Sequence, residues 1–418
     1  MTSAGPADPA GPASLPGSAA ARTRPVVASA ASGRADRAGR HSDPARGQAD
    51  PARGGTDPAG AAHSGAQQGD GAAIGRIRAG RPLAIATAVL LVAVVLGVTV
   101  GPADLSPATV AEALIARLPW HPAVSVPAVS AAIVWQLRLP RVVLGALVGC
   151  MLAGGGAAYQ GVFRNPLADP YLLGVAAGAG LGATVVIVTG ASPQLLPPAA
   201  FGGAIAAVVI TYLLGSGSGA GEPGRAGGTA SILLAGIAVA ALLTAAQTYL
   251  QQQHTQTLQS VYGWILGGLS LASWQQVTLI LPYVAVSAVL LLAHRRLLDV
   301  LRVGETEAAS LGVNVARLRL TVVIAATLGC AAAVAVSGLI GFVGIIVPHL
   351  IRLTAGPSYR IVLPTSMVGG AAFLVLADIA ARTVQAPAEV PIGVITAAAG
   401  APFFLFVLRS RRAKQELA

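Results

Sequence analysis

Leu83-Ala84-Ile85-Ala86-Thr87-Ala88-Val89-Leu90-Leu91-Val92-Ala93-Val94-Val95-Leu96-Gly97-Val98-Thr99-Val100 is a stretch without a single charged side chain. Wound as an α-helix at about 1.5 Å per residue it reaches about 27 Å, close to the thickness of a bilayer's hydrocarbon core. A helix satisfies its own backbone hydrogen bonds where water is absent, so the stretch predicts a membrane-spanning helix. Similar apolar segments recur near 138–160, 170–190, 197–215, 230–250, 272–293, 315–337, 339–353, 361–381 and 391–409. The expected fold class is all-α, a polytopic transmembrane helical bundle of about ten spans. The eighth segment is short and rich in glycine, which suits a broken or partial crossing lined by protein. Glycine also recurs inside other spans, as at Gly145, Gly149, Gly154, Gly155 and Gly156. Small residues let helix backbones approach closely where lipid removes the hydrophobic drive between them.

Composition points the same way. Hydrophobic residues make up 54% of the chain and charged residues 10%, with mean hydropathy +0.71; a soluble domain carries about 25% charged residues. The apolar excess starts after Pro82. Residues 1–80 are rich in Pro, Ala, Gly and Arg, and Asp43-Pro44-Ala45-Arg46-Gly47 recurs as Asp50-Pro51-Ala52-Arg53-Gly54. Such a stretch buries too little apolar surface to offset chain ordering, so a disordered cytoplasmic tail is expected over 1–80. A transmembrane domain over 81–412 and a short cytoplasmic tail over 413–418 follow. The first apolar run begins too late for a short cleavable leader.

If the spans alternate, Arg164, Arg225, Arg295, Arg296, Arg302, Arg317, Arg319, Arg352, Arg360, Arg409, Arg411, Arg412 and Lys414 share one side. Short cytoplasmic loops carry the excess of basic residues. That side is therefore expected to be the cytoplasm, with both termini there and the chain in the plasma (inner) membrane. Arg117, Arg138, Arg141 and Arg382 are left on the opposite side. Arg138 and Arg141 flank Pro140, and Arg382 follows Asp378 by one turn. Two readings stand side by side: the arginines snorkel to headgroups and Asp378 pairs with Arg382, or they form a positive ring that receives an acidic partner.

Several functions are excluded by what the chain lacks. The net charge of +11 comes without a basic helix, aromatic stacking platform or zinc-ligand spacing. Membrane lipid is expected as a partner and nucleic acid is not. The sole lysine is Lys414, so there is no GxxxxGK[ST] phosphate-binding loop and the chain cannot be its own P-loop ATPase. No catalytic residues, metal site or resident cofactor are expected. Cys150 and Cys330 lack CxxC or histidine partners and read as small core residues. His349 reads as a structural hydrogen-bonder at a helix end. Asp169, Asp378 and Glu389 sit near span ends, whereas ion-coupled secondary carriers keep ionisable groups near the midplane. An ion-gradient carrier is thus the weaker alternative, and the driving energy is expected from another polypeptide. Gly304-Glu305-Thr306-Glu307-Ala308-Ala309-Ser310-Leu311-Gly312-Val313 reads as a short helix with acids in its first turn and a glycine stop. It is either a lever for a motor subunit or an ordinary interhelical linker.

From Arg138-Leu139-Pro140-Arg141 the chain resembles the FecCD family, permease subunits of ATP-binding-cassette (ABC) importers for iron–siderophores, haem and cobalamin. The blocks that carry the resemblance continue through Asn165-Pro166-Leu167-Ala168-Asp169-Pro170 and Trp264-Ile265-Leu266-Gly267. They include Gly341-Phe342-Val343-Gly344-Ile345-Ile346-Val347-Pro348-His349 and end with Val390-Pro391-Ile392-Gly393-Val394 and Gly400-Ala401-Pro402-Phe403-Phe404. Together they cover about residues 82–410. The resemblance implies a ten-helix permease paired with a second permease subunit, as homodimer or heterodimer. Two ATPase subunits using Mg-ATP would dock from the cytoplasm, and a substrate-binding protein from outside. It implies that Arg138, Arg141 and Arg382 meet glutamates of the binding protein. It implies a cytoplasmic gate at Asn165, Leu167, Thr229 and Ala230, and ATPase coupling through Gly304, Glu305, Ala308, Leu311 and Gly312. Iron–siderophore is the expected cargo, with cobalamin or haem as alternatives. The sequence departs from the family pattern at Leu339 and Ala230, and in its Arg-rich N-terminal stretch.

Overall fold

A computed structural model describes residues 67–103, 105–117, 126–217 and 227–416. Residues 1–66 of the tail expected over 1–80, Arg225, and the side chains of Arg411, Arg412 and Lys414 lie outside the described residues. Every regular element among the described residues is helical.

The first helix, α1 (Gln67–Thr99), starts upstream of its apolar stretch, so the compositional boundary at residue 80 falls inside it. Ser106 caps the short α2 (Pro107–Ile115), its side chain accepting from the Thr109 amide. Next, α3 (Ala128–Ala132) runs through a π-helical turn, Ile133–Arg138, into α4 (Leu139–Val162). Pro140 has no N–H to give to the carbonyl four residues back, and the wider winding falls just ahead of it. A 3₁₀ turn, Pro170–Leu173, leads into α5 (Val175–Val188), followed by α6 (Leu196–Gly217), α7 (Gly227–Gln253) and the short α8 (Leu258–Ile265). The chain continues as α9 (Trp274–Leu301), α10 (Glu305–Ser310), α11 (Val315–Ser337), α12 (Val343–Ala355), α13 (Tyr359–Thr383) and α14 (Ile392–Glu416).

Among the described residues, seven helices are long and apolar enough to span a membrane, and three shorter apolar ones, Val175–Val188, Val343–Ala355 and Ile392–Phe406, join them. They occupy the ten expected positions. The eighth segment is a half-helix, as its glycine content suggested. Gly338 (φ 68°) ends α11, and Phe342 enters α12 in left-handed backbone at φ 70°, a conformation rare for a bulky residue. Phe342 lies against Gly400 of α14, where an added Cβ would come within 2.5 Å of its ring.

Helix α4 is the hub, packing against α9, α11, α12 and α13. Two of these contacts bring backbones together without intervening side chains. A Cβ on Gly149 would stand 2.2 Å from the Gly370 carbonyl oxygen of α13, and one on Gly156 would stand 2.1 Å from the Gly344 oxygen of α12. Some of the polar groups in this core are paired: Tyr159 and Thr327 hydroxyls meet at 2.7 Å, and Ser287 donates to the Ala325 carbonyl at 2.6 Å. Cys330 is buried and free, and Cys150 is free and half-buried, in keeping with small packing residues.

The bundle has two chemically distinct ends. At one, Asp299 at the foot of α9 accepts from the Tyr359 amide (2.6 Å) and the Ser358 hydroxyl (2.8 Å), capping α13 beside α10. At the other, the end of α1 meets the starts of α4 and the last turn of α13. Among the described arginines, Arg164, Arg302, Arg352 and Arg360 lie at the first end and Arg138, Arg141 and Arg382 at the second.

Candidate functional sites at the two ends of the bundle

The arginines opposite α10 do not form an exposed ring. Arg138 is only 4% exposed and Arg382 only 2%. The Arg138 guanidinium donates to the carbonyls of Val98 (2.9 Å), Thr99 (2.7 Å) and Ala103 (2.5 Å), and Arg382 donates to Gly97 (2.7 Å). The last carbonyls of a helix have no partners within it and carry its partial negative charge. Two cations from α4 and α13 therefore close the end of α1. Neither arginine snorkels toward headgroups.

Arg141 joins a second layer. It donates to Asp378 of α13 through Nε at 2.9 Å and to both oxygens of Glu389 at 2.7 and 3.1 Å. Asp378 also lies 3.4 Å from Arg382, so the expected one-turn pair exists, but its shorter partner is Arg141 at 2.8 Å on another helix. Hydrogen bonding to Arg141 holds the Glu389 carboxyl below its ordinary range, against the opposing effect of burial. The cluster thus locks α1, α4, α13 and the loop before α14 together. Beside it, Arg117 stacks over Trp135 at 4.7 Å, and the indole N–H of Trp135 donates to Ala113 of α2.

At the α10 end, Asn165 and Leu167 lie in the loop after α4. The Asn165 side chain accepts from the Leu167 amide (2.9 Å), which leaves Leu167 projecting, half exposed. Thr229 and Ala230 start α7, which packs on the 3₁₀ turn Pro170–Leu173 through Gly236, tight against Leu172. Asp169 caps that turn by accepting from the Tyr171 amide at 2.9 Å, and burial pushes its carboxyl up to about 6.

The Gly304–Val313 segment is the short helix the sequence suggested. Ala308 is fully buried, while Leu311 is 71% exposed. Glu305 reaches Arg319 of α11 at 2.6 Å, and Gly312 ends the turn at φ 83°. The helix is therefore anchored on one face and offers an apolar knob on the other. Leu311 thus stands exposed at the end of a helix that carries Glu305 and Glu307 in its first turn.

Two features escaped the sequence reading. His349 lies inside α12, not at a helix end, with its ring edge-on to Phe403 at 6.0 Å. Gln160 bridges α4 and α12 by donating to the Gly344 carbonyl at 2.9 Å while accepting from Arg352. The signal for the latter was a lone glutamine at the end of a glycine-rich span.

Residues 89–410 match the FecCD transport family. The chain is 40% identical over 363 residues to the cobalamin import system permease protein BtuC of Halobacterium salinarum, covering 79% of this chain and 96% of that one. It is 41% identical to the hemin transport system permease protein HmuU of Yersinia pestis, covering 67% and 84%. Against the Fe(3+)-citrate import system permease protein YfmE of Bacillus subtilis, identity is 35%, covering 68% and 84%. Among solved structures, an inward-facing metal-chelate type ABC transporter superposes with a TM-score of 0.68 at 29% identity, covering 78% of this chain and 98% of the other.

Proposed function

Because the chain belongs to the FecCD transport family, and is thus the multi-pass membrane permease of an ABC importer whose ATP is hydrolysed by a separate subunit, we propose that it conducts a bulky metal chelate, foremost a ferric siderophore, into the cytoplasm. What carries the reading is the shared chemistry of the relatives' cargoes: ferric citrate, haemin and cobalamin each hold a metal within an organic ligand. Cobalamin is the second reading, favoured by the length over which the cobalamin permease aligns.

In this proposal the α10 end faces the cytoplasm of a cell whose plasma (inner) membrane holds the chain. A second permease subunit completes the conduit, and two ATPase subunits bind around α10. Leu311 inserts into the ATPase, Gly304 and Gly312 let the helix pivot, and Glu305 and Ala308 hold it to α11 and α9. A rigid lever is needed because nucleotide-driven motion outside the membrane has to be transmitted to packed helices, which switch between discrete arrangements. Asn165 and Leu167, with Thr229 and Ala230, narrow the cytoplasmic mouth. On the opposite face the substrate-binding protein docks over the arginine cluster. Its carboxylates would compete with Glu389 for Arg141, while Arg138 and Arg382 keep the platform in shape. Exposed charge pairs are worth only about 0–1 kcal/mol each, yet several together steer docking and set register. Mg-ATP is used by the ATPase, and this chain holds no cofactor.

The test is reconstitution of the chain with its ATPase, binding protein and companion permease in proteoliposomes, following ATP-dependent uptake of radiolabelled ferric siderophore, haemin and cobalamin in competition. Preferred uptake of the ferric chelate is expected; preferred uptake of cobalamin selects the second reading. Leu311→Ser should leave the fold intact, within about 0.5 kcal/mol as for a surface substitution, and abolish stimulation of the ATPase by loaded binding protein. An unchanged stimulated rate refutes the lever.

A further inference from the structure

At the α10 end, between the ends of α4, α9, α12 and α13, lies a cavity of about 270 Å³ lined by Arg164, Arg302 and Arg352 together with Gln160 and Tyr359. Among the described residues no carboxylate lines it. Asp299, at the foot of α9, accepts from the Ser358 hydroxyl and the Tyr359 amide and lies 3.6 Å from Arg360. Arg164 follows the end of α4, Arg302 caps α9, and Arg352 lies in the last turn of α12. Part of their charge therefore answers the negative ends of three helices. Each such end carries about half an elementary charge, less than the full charge of the guanidinium it meets.

The geometry is also held in place. Gln160 is 2% exposed; it donates to Gly344 and accepts from Arg352, which fixes that guanidinium at the wall. Arg164 sits in left-handed backbone at φ 50°, a conformation that costs glycine or asparagine less. Guanidinium groups present paired donors that match the oxygens of a phosphate.

We infer that this cavity is an anion site that holds a phosphate group, supplied by the headgroup of an anionic phospholipid. The volume exceeds that of a bare phosphate and leaves room for the glycerol that carries it. The cavity lies where α4, α9 and α12 end, which in the orientation proposed above is the level of the headgroups on the arginine-rich side. That side faces the cytoplasmic leaflet, whose anionic lipids attract basic pockets between transmembrane helices. The argument needs this membrane orientation and is independent of which chelate is carried. It has a consequence for the loop after α4: the Gln160 carbonyl accepts from the Asn165 amide at 3.2 Å, so a lipid bound there braces the segment bearing Asn165 and Leu167.

The experiment is native mass spectrometry of the purified full-length chain in an uncharged detergent, titrated with phosphatidylglycerol, phosphatidylcholine or diacylglycerol. The wild type should retain one phosphatidylglycerol that Arg164→Gln/Arg302→Gln releases at least ten-fold more readily. Phosphatidylcholine and diacylglycerol should bind both proteins alike. Both arginines are exposed, so their replacement leaves the packed core untouched, and an unchanged melting temperature of the delipidated protein verifies this. Arg360→Gln serves as control, since this arginine is 64% exposed on the same end but outside the cavity; it should retain the lipid. Equal retention by wild type and the double variant overturns the site, as does equal loss in the Arg360 variant. Protection of the lipid-free wild type by millimolar inorganic phosphate, absent in the double variant and undiminished by phosphatidylglycerol, would keep the phosphate chemistry but overturn the lipid as its source.

Discussion

Arg138→Met separates a residue that holds the fold from one that touches a partner. Three hydrogen bonds from the guanidinium end on carbonyls of Val98, Thr99 and Ala103. The side chain is nearly fully buried. A hydrogen bond to a charged group contributes about 1.5–3 kcal/mol, and a buried acceptor left without a partner costs about 1–3 kcal/mol. The three bonds share one donor group and do not add fully, and water at the membrane surface replaces part of what is lost. Methionine keeps the apolar stem. The expected loss is about 3–5 kcal/mol, or two to nearly four powers of ten in the folding equilibrium. It is measured by unfolding the purified protein in mixed micelles with increasing denaturing detergent. Arg117→Met is the reference: Arg117 is exposed and stacks on Trp135, an arrangement worth about 0.5–1 kcal/mol. If Arg138→Met unfolds within about 1 kcal/mol of the wild type while its affinity for the binding protein collapses, the capping account of α1 is wrong and Arg138 is a direct docking residue.

Two further outcomes follow from the same geometry. Gly149→Ala should destabilise by at least about 1–3 kcal/mol, the usual cost of overpacking, because its Cβ would meet the Gly370 carbonyl at 2.2 Å. Gly202→Ala, with nothing within 4 Å, should be neutral or stabilising by up to about 1 kcal/mol through helix propensity, and thermal unfolding of the pair checks both. For Asp169, the folded-state value is raised to about 6 above an unfolded value near 3.8. Its protonated form therefore favours the fold: that contribution is complete below about pH 4 and is lost as pH rises through about 6. Asp169→Asn keeps an acceptor for the Tyr171 amide and should flatten the stability profile between pH 4 and 7; an unchanged slope there refutes the assignment.

The ten crossing segments, the broken eighth helix and the short helix after α9 could all be read from the chain itself. Lipid imposes a one-dimensional rule: a crossing segment has to be apolar over its length and close its own backbone hydrogen bonds. Glycines at Gly341 and Gly344, acids at Glu305 and Glu307, and the sharing of arginines between the two sides are local signals of the same kind. Other features depended on segments far apart. Arg138 and Arg382 looked like surface charges because they sit at helix mouths, yet their partners lie on α1, and Arg141 meets Asp378 across 237 positions. The cavity of Arg164, Arg302 and Arg352 likewise exists only once α4, α9 and α12 end side by side. Hydropathy records what solvent each segment prefers. Which charge faces which carbonyl is settled when glycine contacts such as Gly149–Gly370 let the helices close to backbone distance, and that happens only in three dimensions.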